Sequence, residues 1–389
     1  MSTEELVTRF GQLPTPFYYY DLGLLRETLR RAQQAAGRYG YHIHYALKAN
    51  ADRRVLQMVR EAGMGADCVS GNEVTAAAAA GFDPATIFFA GVGKTDREIL
   101  TALDTGIGAF NVESLEELQV IGTLARQRGV QAPVSIRINP MVDAHTHRHI
   151  TTGIEVNKFG ILAGDLEPVI ALLKASPALL FKGIHVHIGS QITDMEVFRQ
   201  LAGRVNELQQ LFTAAGLPVK TVDLGGGLGV DYRHPEQDPV PDFELFFGVI
   251  HDTLQRQEGQ EVYFELGRSL VAQMGDLITR VLYVKKSSAR TFVIVDAGMT
   301  DLIRPALYET VHRIENLSAR HRGVTAEELH VDVVGPVCET ADTFARGIPF
   351  PLTHRGDILA IRSAGAYGKM MSSSYNLRDA TPVVYSDEL

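Results

Sequence analysis

Nothing constrains the fold of this chain more than a strict alternation of β-prone and helix-periodic stretches, repeated eight times between Tyr41 and Leu266. The strand-like stretches are Tyr41–Lys48, Gly65–Ser70, Thr86–Ala90, Ile107–Val112, Pro133–Asn139, Phe181–Ile188, Thr221–Leu224 and Glu261–Leu266. Helical spacing fills the gaps, for example Arg53–Ala62 and the alanine-rich Asn72–Ala80. Eight such repeats fit a closed (β/α)8 barrel of the TIM type better than an open doubly wound sheet, which periodicity alone leaves open. Beyond Gly267 the pattern changes to β-rich runs, Leu270–Val284, Thr291–Val295, His330–Val334 and Asp357–Ser363, so a second, all-β domain is expected. Residues 13–20, with two prolines and an aromatic run, read as extended and able to pair with those later strands. The domains expected are therefore a barrel over 22–270 and a β domain over 271–389 together with 1–21.

Charge narrows the partners. The net charge of −9, without long basic runs, opposes a nucleic-acid or anionic-membrane surface and favours a small molecule. Two cysteines, Cys68 and Cys338, make neither a disulfide framework nor a zinc-spaced pair. An acidic, polar start and the lack of long apolar runs point to a cytoplasmic protein.

In a barrel the chemistry belongs at the C-terminal strand ends. Those ends carry Lys48, Asp67, His187, Gly225 to Gly227, and Glu265 with Arg268. Lys48 closes the run Tyr45-Ala46-Leu47-Lys48-Ala49-Asn50, where dry surroundings would favour the neutral amine that attacks a carbonyl. A lysine snorkelling from a strand end is the bland alternative. Asp223-Leu224-Gly225-Gly226-Gly227-Leu228-Gly229 follows the seventh strand, where backbone amides freed of side chains suit a phosphate. Glu265 ends the eighth strand; it is either the carboxylate that keeps a pyridine nitrogen protonated or half of a salt bridge with Arg268.

His185 and His187 share a strand face, as zinc ligands lacking a clear third partner or as a platform for a flat cofactor. His145, His147 and His149 form a second histidine group in a polar loop, and no metal is expected there. Arg304 stands just before Pro305, with Tyr308 one helical turn on, a pairing suited to a carboxylate. Cys338 beside Glu339 offers a thiol next to a carboxylate, although a buried structural cysteine has the same appearance. Tyr367 sits in the turn Gly365-Ala366-Tyr367-Gly368.

From about Pro14 to Asn376 the sequence resembles the diaminopimelate decarboxylases, pyridoxal-phosphate enzymes with the alanine-racemase-like fold. The resemblance rests on the Lys48 stretch, Thr151-Thr152-Gly153 with Lys158-Phe159-Gly160-Ile161, His187-Ile188-Gly189-Ser190-Gln191, the glycine run, Glu265-Leu266-Gly267-Arg268, Arg304 to Tyr308, Cys338-Glu339 and Gly365 to Gly368. It implies that Lys48 holds pyridoxal 5′-phosphate covalently, His187 stacks on its ring and Glu265 meets its pyridine nitrogen. Asp67, Ser190, Gly225, Gly226, Gly227, Gly267, Arg268 and Tyr367 would complete the cofactor site. Arg268, Arg304, Tyr308, Glu339 and Tyr367 would hold the substrate, and Cys338 would return the proton.

The activity implied is decarboxylation of meso-2,6-diaminopimelate to L-lysine, by a head-to-tail homodimer whose partner supplies the Cys338-Glu339 segment. Two departures from the family pattern are Leu266, where proline is usual, and Thr340-Ala341, where serine and glycine are common. Rival readings are a decarboxylase of another diamino acid or carboxy-polyamine, an amino-acid racemase, a non-catalytic carrier of the cofactor, and a metal-dependent barrel hydrolase.

Overall fold

The computed structural model describes residues 3–142, 158–324, 326 and 329–389. The expected Thr151-Thr152-Gly153 motif and the His145, His147 and His149 group lie outside the described residues. The chain divides into two compact units, Thr28–Gly229 with Asp242–Arg268, and Met1–Glu27 with Val230–Pro241 and Ser269–Leu389.

The first unit is a closed parallel barrel. Its eight strands are Tyr41–Ala46, Gly65–Cys68, Ile87–Phe89, Ala109–Val112, Ala132–Asn139, Leu179–His185, Thr221–Asp223 and Glu261–Leu266, each hydrogen-bonded to the next. The eighth closes on the first, with Val262 beside Tyr41 and Leu266 beside Tyr45. The open-sheet alternative is thereby excluded, and a short strand, Ile161–Leu162, adds to the fifth. Strand centres are buried on both sides, as a parallel sheet wrapped in helices requires; Ile43, Ala66, Phe89, Phe110, Ile136, Ile184, Val222 and Phe264 are all almost inaccessible.

Polar caps start the helices at the strand ends. Asp52 caps Arg53–Glu61, Ser70 caps Gly71–Ala79, Ser114 caps Leu115–Arg128, and Thr95 with Glu98 forms a capping box on Asp96–Thr105. Left-handed Gly106 and Gly129 end two of them. These four caps fix where the helices begin after their strands.

The second unit is built on a mixed sheet. Gly275–Lys286 is its central strand, pairing with Thr291–Val295, Ile358–Ile361 and the N-terminal Phe17–Tyr20, which also runs parallel to Val383–Tyr385. Leu329–Val334, Thr343–Phe350 and Ile314–Asn316 extend it. The unit is mostly β but not wholly so, since helix Thr3–Gln12 and the short helices Arg304–Tyr308 and Leu317–His321 belong to it. Helix Thr3–Gln12 presses Val7 and Phe10 onto Phe17, Tyr19, Ile278 and Ile358. Burying two such side chains is worth roughly 1.5–3 kcal/mol each, enough to order a terminal helix.

Candidate active site

The end of the first barrel strand turns through a single 3-10 turn, Leu47–Ala49, so Lys48 stands just past the strand rather than in it. The Tyr45 hydroxyl spans that turn, donating to the Asn50 carbonyl at 2.8 Å. Lys48 is less enclosed than its apolar neighbours suggest, with a side chain 39% exposed. It faces Asp67, 3.5 Å away and fully buried. Burial first, and the nearby Glu265 second, push the Asp67 carboxyl up to about 7, against the pull of Lys48.

Lys48, His187, His185, Glu265, Arg137 and Phe159 line one cavity of about 490 Å³ at the C-terminal end of the barrel. The His187 ring is held edge-on by the Gly226 N–H, which donates to its Nδ1 at 3.1 Å. Burial, reinforced by Arg137 and Lys48, lowers its pKa, so the ring is a neutral flat surface.

Glu265 is gripped from two sides: Asn111 Nδ2 donates to Oε1 at 3.0 Å and His185 Nε2 lies 3.2 Å from Oε2. Burial alone would raise its pKa, but His185 and then Lys48 outweigh that and hold it below the usual carboxylate range. Glu265 is therefore an anion in a dry site. Two other cavity charges are balanced within the wall. Arg137 reaches Glu113 at 2.6 Å and lies 4.8 Å from the Phe159 ring centre, while Lys94 is held by Glu117 at 2.7 Å and by the carbonyls of Gly91 and Asn111.

The glycine run packs where side chains cannot go. A Cβ on Gly226 would stand 2.0 Å from the Glu265 carbonyl oxygen, and Gly225 and Gly227 take positive φ. The Gly225 and Gly226 amides are engaged by Asp223 Oδ1 and His187 Nδ1. Arg268 is buried, with Nε and Nη2 donating to the Ser190 hydroxyl at 3.2 and 3.0 Å. Gly267, between Glu265 and Arg268, is buried as well.

The other expected site residues belong to the second unit. Arg304 opens the helix Arg304–Tyr308, with Pro305 in its first turn. Its guanidinium is buried, 4.5 Å from the Tyr232 ring centre, with Nη1 2.8 Å from His312 Nε2. Cys338 and Glu339 are both exposed, which removes the buried structural cysteine reading. Their loop is anchored by buried Asp342, whose carboxylate accepts from Met299 N at 2.6 Å and Val337 N at 2.7 Å. Tyr367 is held at φ +60, a left-handed conformation uncommon outside glycine.

Sequence reading missed Asn111, Arg137 and the role of His185. The available signal was a polar residue interrupting an apolar strand near its end, as in Ala-Phe-Asn-Val and Ser-Ile-Arg-Ile-Asn.

The cavity supplies an amine for an aldehyde, a neutral flat ring and a buried carboxylate, as a pyridine aldehyde requires, and the side-chain-free glycine run packs against the edge of that ring. The residues fit pyridoxal 5′-phosphate. Residues 22–272 match the family model described as the pyridoxal-dependent decarboxylase, pyridoxal binding domain. Over 386 residues the chain is 50% identical to a diaminopimelate decarboxylase of Bacteroides thetaiotaomicron, covering 98% of each. It is 41% identical to that of Zymomonas mobilis over 96% of this chain and 87% of the relative. The crystal structure of the Helicobacter pylori diaminopimelate decarboxylase complexed with L-lysine superposes with a TM-score of 0.89 at 39% identity, covering 99% of this chain and 94% of that one.

Proposed function

The chain belongs to the diaminopimelate decarboxylases, within the pyridoxal-dependent decarboxylases, and from that premise we infer that it is a carbon–carbon lyase acting on meso-2,6-diaminopimelate. It releases CO2 and L-lysine, closing lysine biosynthesis, with pyridoxal 5′-phosphate as cofactor. The observation that carries this reading is the meeting of Lys48, His187 and an anionic Glu265 on one cavity at the C-terminal barrel end.

When bound, the cofactor supplies an electron sink for the pair left on the α-carbon as CO2 departs. Lys48 supplies the amine that holds it and that yields its place to the substrate amine. His187, neutral and fixed by Gly226, offers the face on which a ring rests. Glu265, negative and oriented by Asn111 and His185, keeps a proton on the pyridine nitrogen. Asp67 faces Lys48 at 3.5 Å, and Gly225, Gly226, Gly227, Ser190, Gly267 and Arg268 make the phosphate end, with Tyr367 against the cofactor and substrate.

We assign Arg268, Arg304 and Tyr308 to the carboxylate that is retained and Glu339 to the distal ammonium. Cys338, an exposed thiol, delivers the proton that replaces CO2. Ornithine or lysine would leave these arginines without an anion, a mismatch costing on the order of 2–5 kcal/mol. We further propose a barrel domain of 22–270 with a β domain of 271–389 and 1–21, a homodimer that shares its sites through the exposed Cys338-Glu339 segment, and a cytoplasmic location.

The deciding assay follows CO2 and amine product from the cofactor-loaded protein with meso-diaminopimelate, ornithine, arginine and lysine in parallel. Release from diaminopimelate alone is expected. Release from another amine would overturn the substrate assignment, and no release despite bound cofactor would leave a carrier or racemase.

A further inference from the structure

Glu265 has a third neighbour with no place in the mechanism above. Asp223 ends the seventh strand, pairs in register with His185 on one side and Tyr263 on the other, and is 2% exposed. Its Oδ1 accepts from the Gly225 N–H at 2.9 Å. Its Oδ2 is buried and receives no hydrogen bond. His185, Asp223 and Glu265 each bring a ring nitrogen or carboxylate oxygen within 4.8 Å of the other two.

A bare carboxylate oxygen in that position would be buried, undonated and beside a second anion, the costliest arrangement for an acid side chain. A proton on it removes all three difficulties together. We propose that Asp223 is a positioning residue, a neutral acid in the folded protein whose hydroxyl donates to Glu265 and so fixes both the charge and the direction of the Glu265 carboxylate. His185 faces Asp223 from the sixth strand and Tyr263 from the eighth, with Glu265 beside them. Burial and the Glu265 charge raise the Asp223 pKa well above the carboxylate range, Asp67 adds to this, and the Gly225 N–H opposes it. Tyr263 raises no competing positive charge, and its hydroxyl donates away from Asp223, to Glu261 at 3.0 Å.

Glu265 is then bracketed by Asn111, His185 and Asp223 while it lines the cavity. Were Asp223 ionised, repulsion would draw a proton onto Glu265 and weaken its hold on a pyridinium proton. The inference rests on the proposed assignment of Glu265 to the pyridine nitrogen. It adds that the acid two residues ahead of this chain's glycine run supplies a proton donor as well as a turn.

The test is infrared spectroscopy of the cofactor-loaded protein, wild type minus Asp223→Asn, at pH 7. A protonated-carboxyl stretch that shifts in D2O is expected in the wild type and missing from the variant. Asp223→Asn keeps both an acceptor for Gly225 and a donor for Glu265, so its turnover should stay within about threefold, whereas Asp223→Val should lose at least about tenfold and shift the cofactor absorbance. Should Asp223→Asn not fold, Asp223→Ser supplies the subtraction. Absence of the band, equal losses in the Asn and Val variants, or a stoichiometric metal ion on the His185, Asp223 and Glu265 group would overturn the inference. The band with no decarboxylation of any amine would instead reject the proposed function and leave the carboxyl pair standing.

Discussion

Lys48 Nζ stands 3.5 Å from Asp67 Oδ2, and the two side chains differ sharply in surroundings, 39% against 0% exposed. The lysine is open to an incoming aldehyde while its counter-charge is locked in the barrel wall. Asp67 is the partner that bears the electrostatic strain, since burial and Glu265 oppose its ionisation.

The pH dependence of the cofactor-free protein follows from that strain. Asp67 binds its proton more tightly folded, at about 7, than at the usual value of 3.8. Stability from this source is complete below the lower value and fades as pH rises through the upper one, by on the order of 4 kcal/mol in all. Asp67→Asn should lack this loss. Urea midpoints of both proteins at pH 5, 6, 7 and 8 should diverge with rising pH in favour of the variant; a constant difference would show that Asp67 is ionised throughout.

Lys48→Ala should fold, because the Lys48 turn is closed by Tyr45 and Asn50 and not by the amine. It should lose the cofactor-linked absorbance and fall in turnover by at least on the order of 10²–10⁴-fold. Recovery of wild-type turnover in this variant would sink the mechanism.

Much of this site is written in strand periodicity and much of it is not. Lys48, His187, Glu265 and the glycine run each occupy a strand end, a position that alternation locates one strand at a time. The partners that give them function are tertiary coincidences. Asn111 meets Glu265 across 154 positions, His185 meets it across 80, and no local pattern encodes either distance. The paired histidines were visible as one strand face, and both line the cavity, but their partners differ: His185 meets the Glu265 carboxylate and His187 accepts from a backbone amide. Helix Thr3–Gln12 was unread because only its contact with Phe17, Tyr19 and Ile278 makes its short apolar stripe worth forming.

Cys338→Ala should keep bound cofactor and lose turnover by on the order of 10²–10⁴-fold, the range of a lost proton donor. Asp342→Asn is the companion variant. Asp342 anchors the loop through Met299 and Val337 without sharing the thiol's chemistry, so it should lower turnover less and leave the pH profile unchanged. Unchanged turnover in Cys338→Ala would transfer the proton to another residue.

Arg304→Lys should bind diaminopimelate poorly. The buried guanidinium is set in direction by His312 and rests near the Tyr232 ring, and an ammonium reproduces neither the fork nor the stacking. A KM increase on the order of 10²-fold is expected from a lost buried charge contact. Cofactor absorbance should be untouched, and a fall in cofactor occupancy instead would place Arg304 in the cofactor site.

Gly226→Ala joins the glycine run to the carboxylate on the neighbouring strand. The added methyl would stand 2.0 Å from the Glu265 carbonyl oxygen, a backbone atom that moves only if the eighth strand moves. The Gly225 carbonyl accepts the Glu265 N–H at 2.8 Å, so parting the strands there strains a ladder bond as well. Overpacking of this kind costs about 1–3 kcal/mol. The displaced strand carries Glu265 away from Asn111 and His185, and the displaced loop carries the amide that fixes His187. Gly226→Ala should therefore lower the unfolding midpoint and weaken cofactor retention together. Cofactor affinity equal to wild type in a destabilised protein would mean that the Glu265 carboxylate is positioned by its side-chain donors alone, independently of the backbone beneath it.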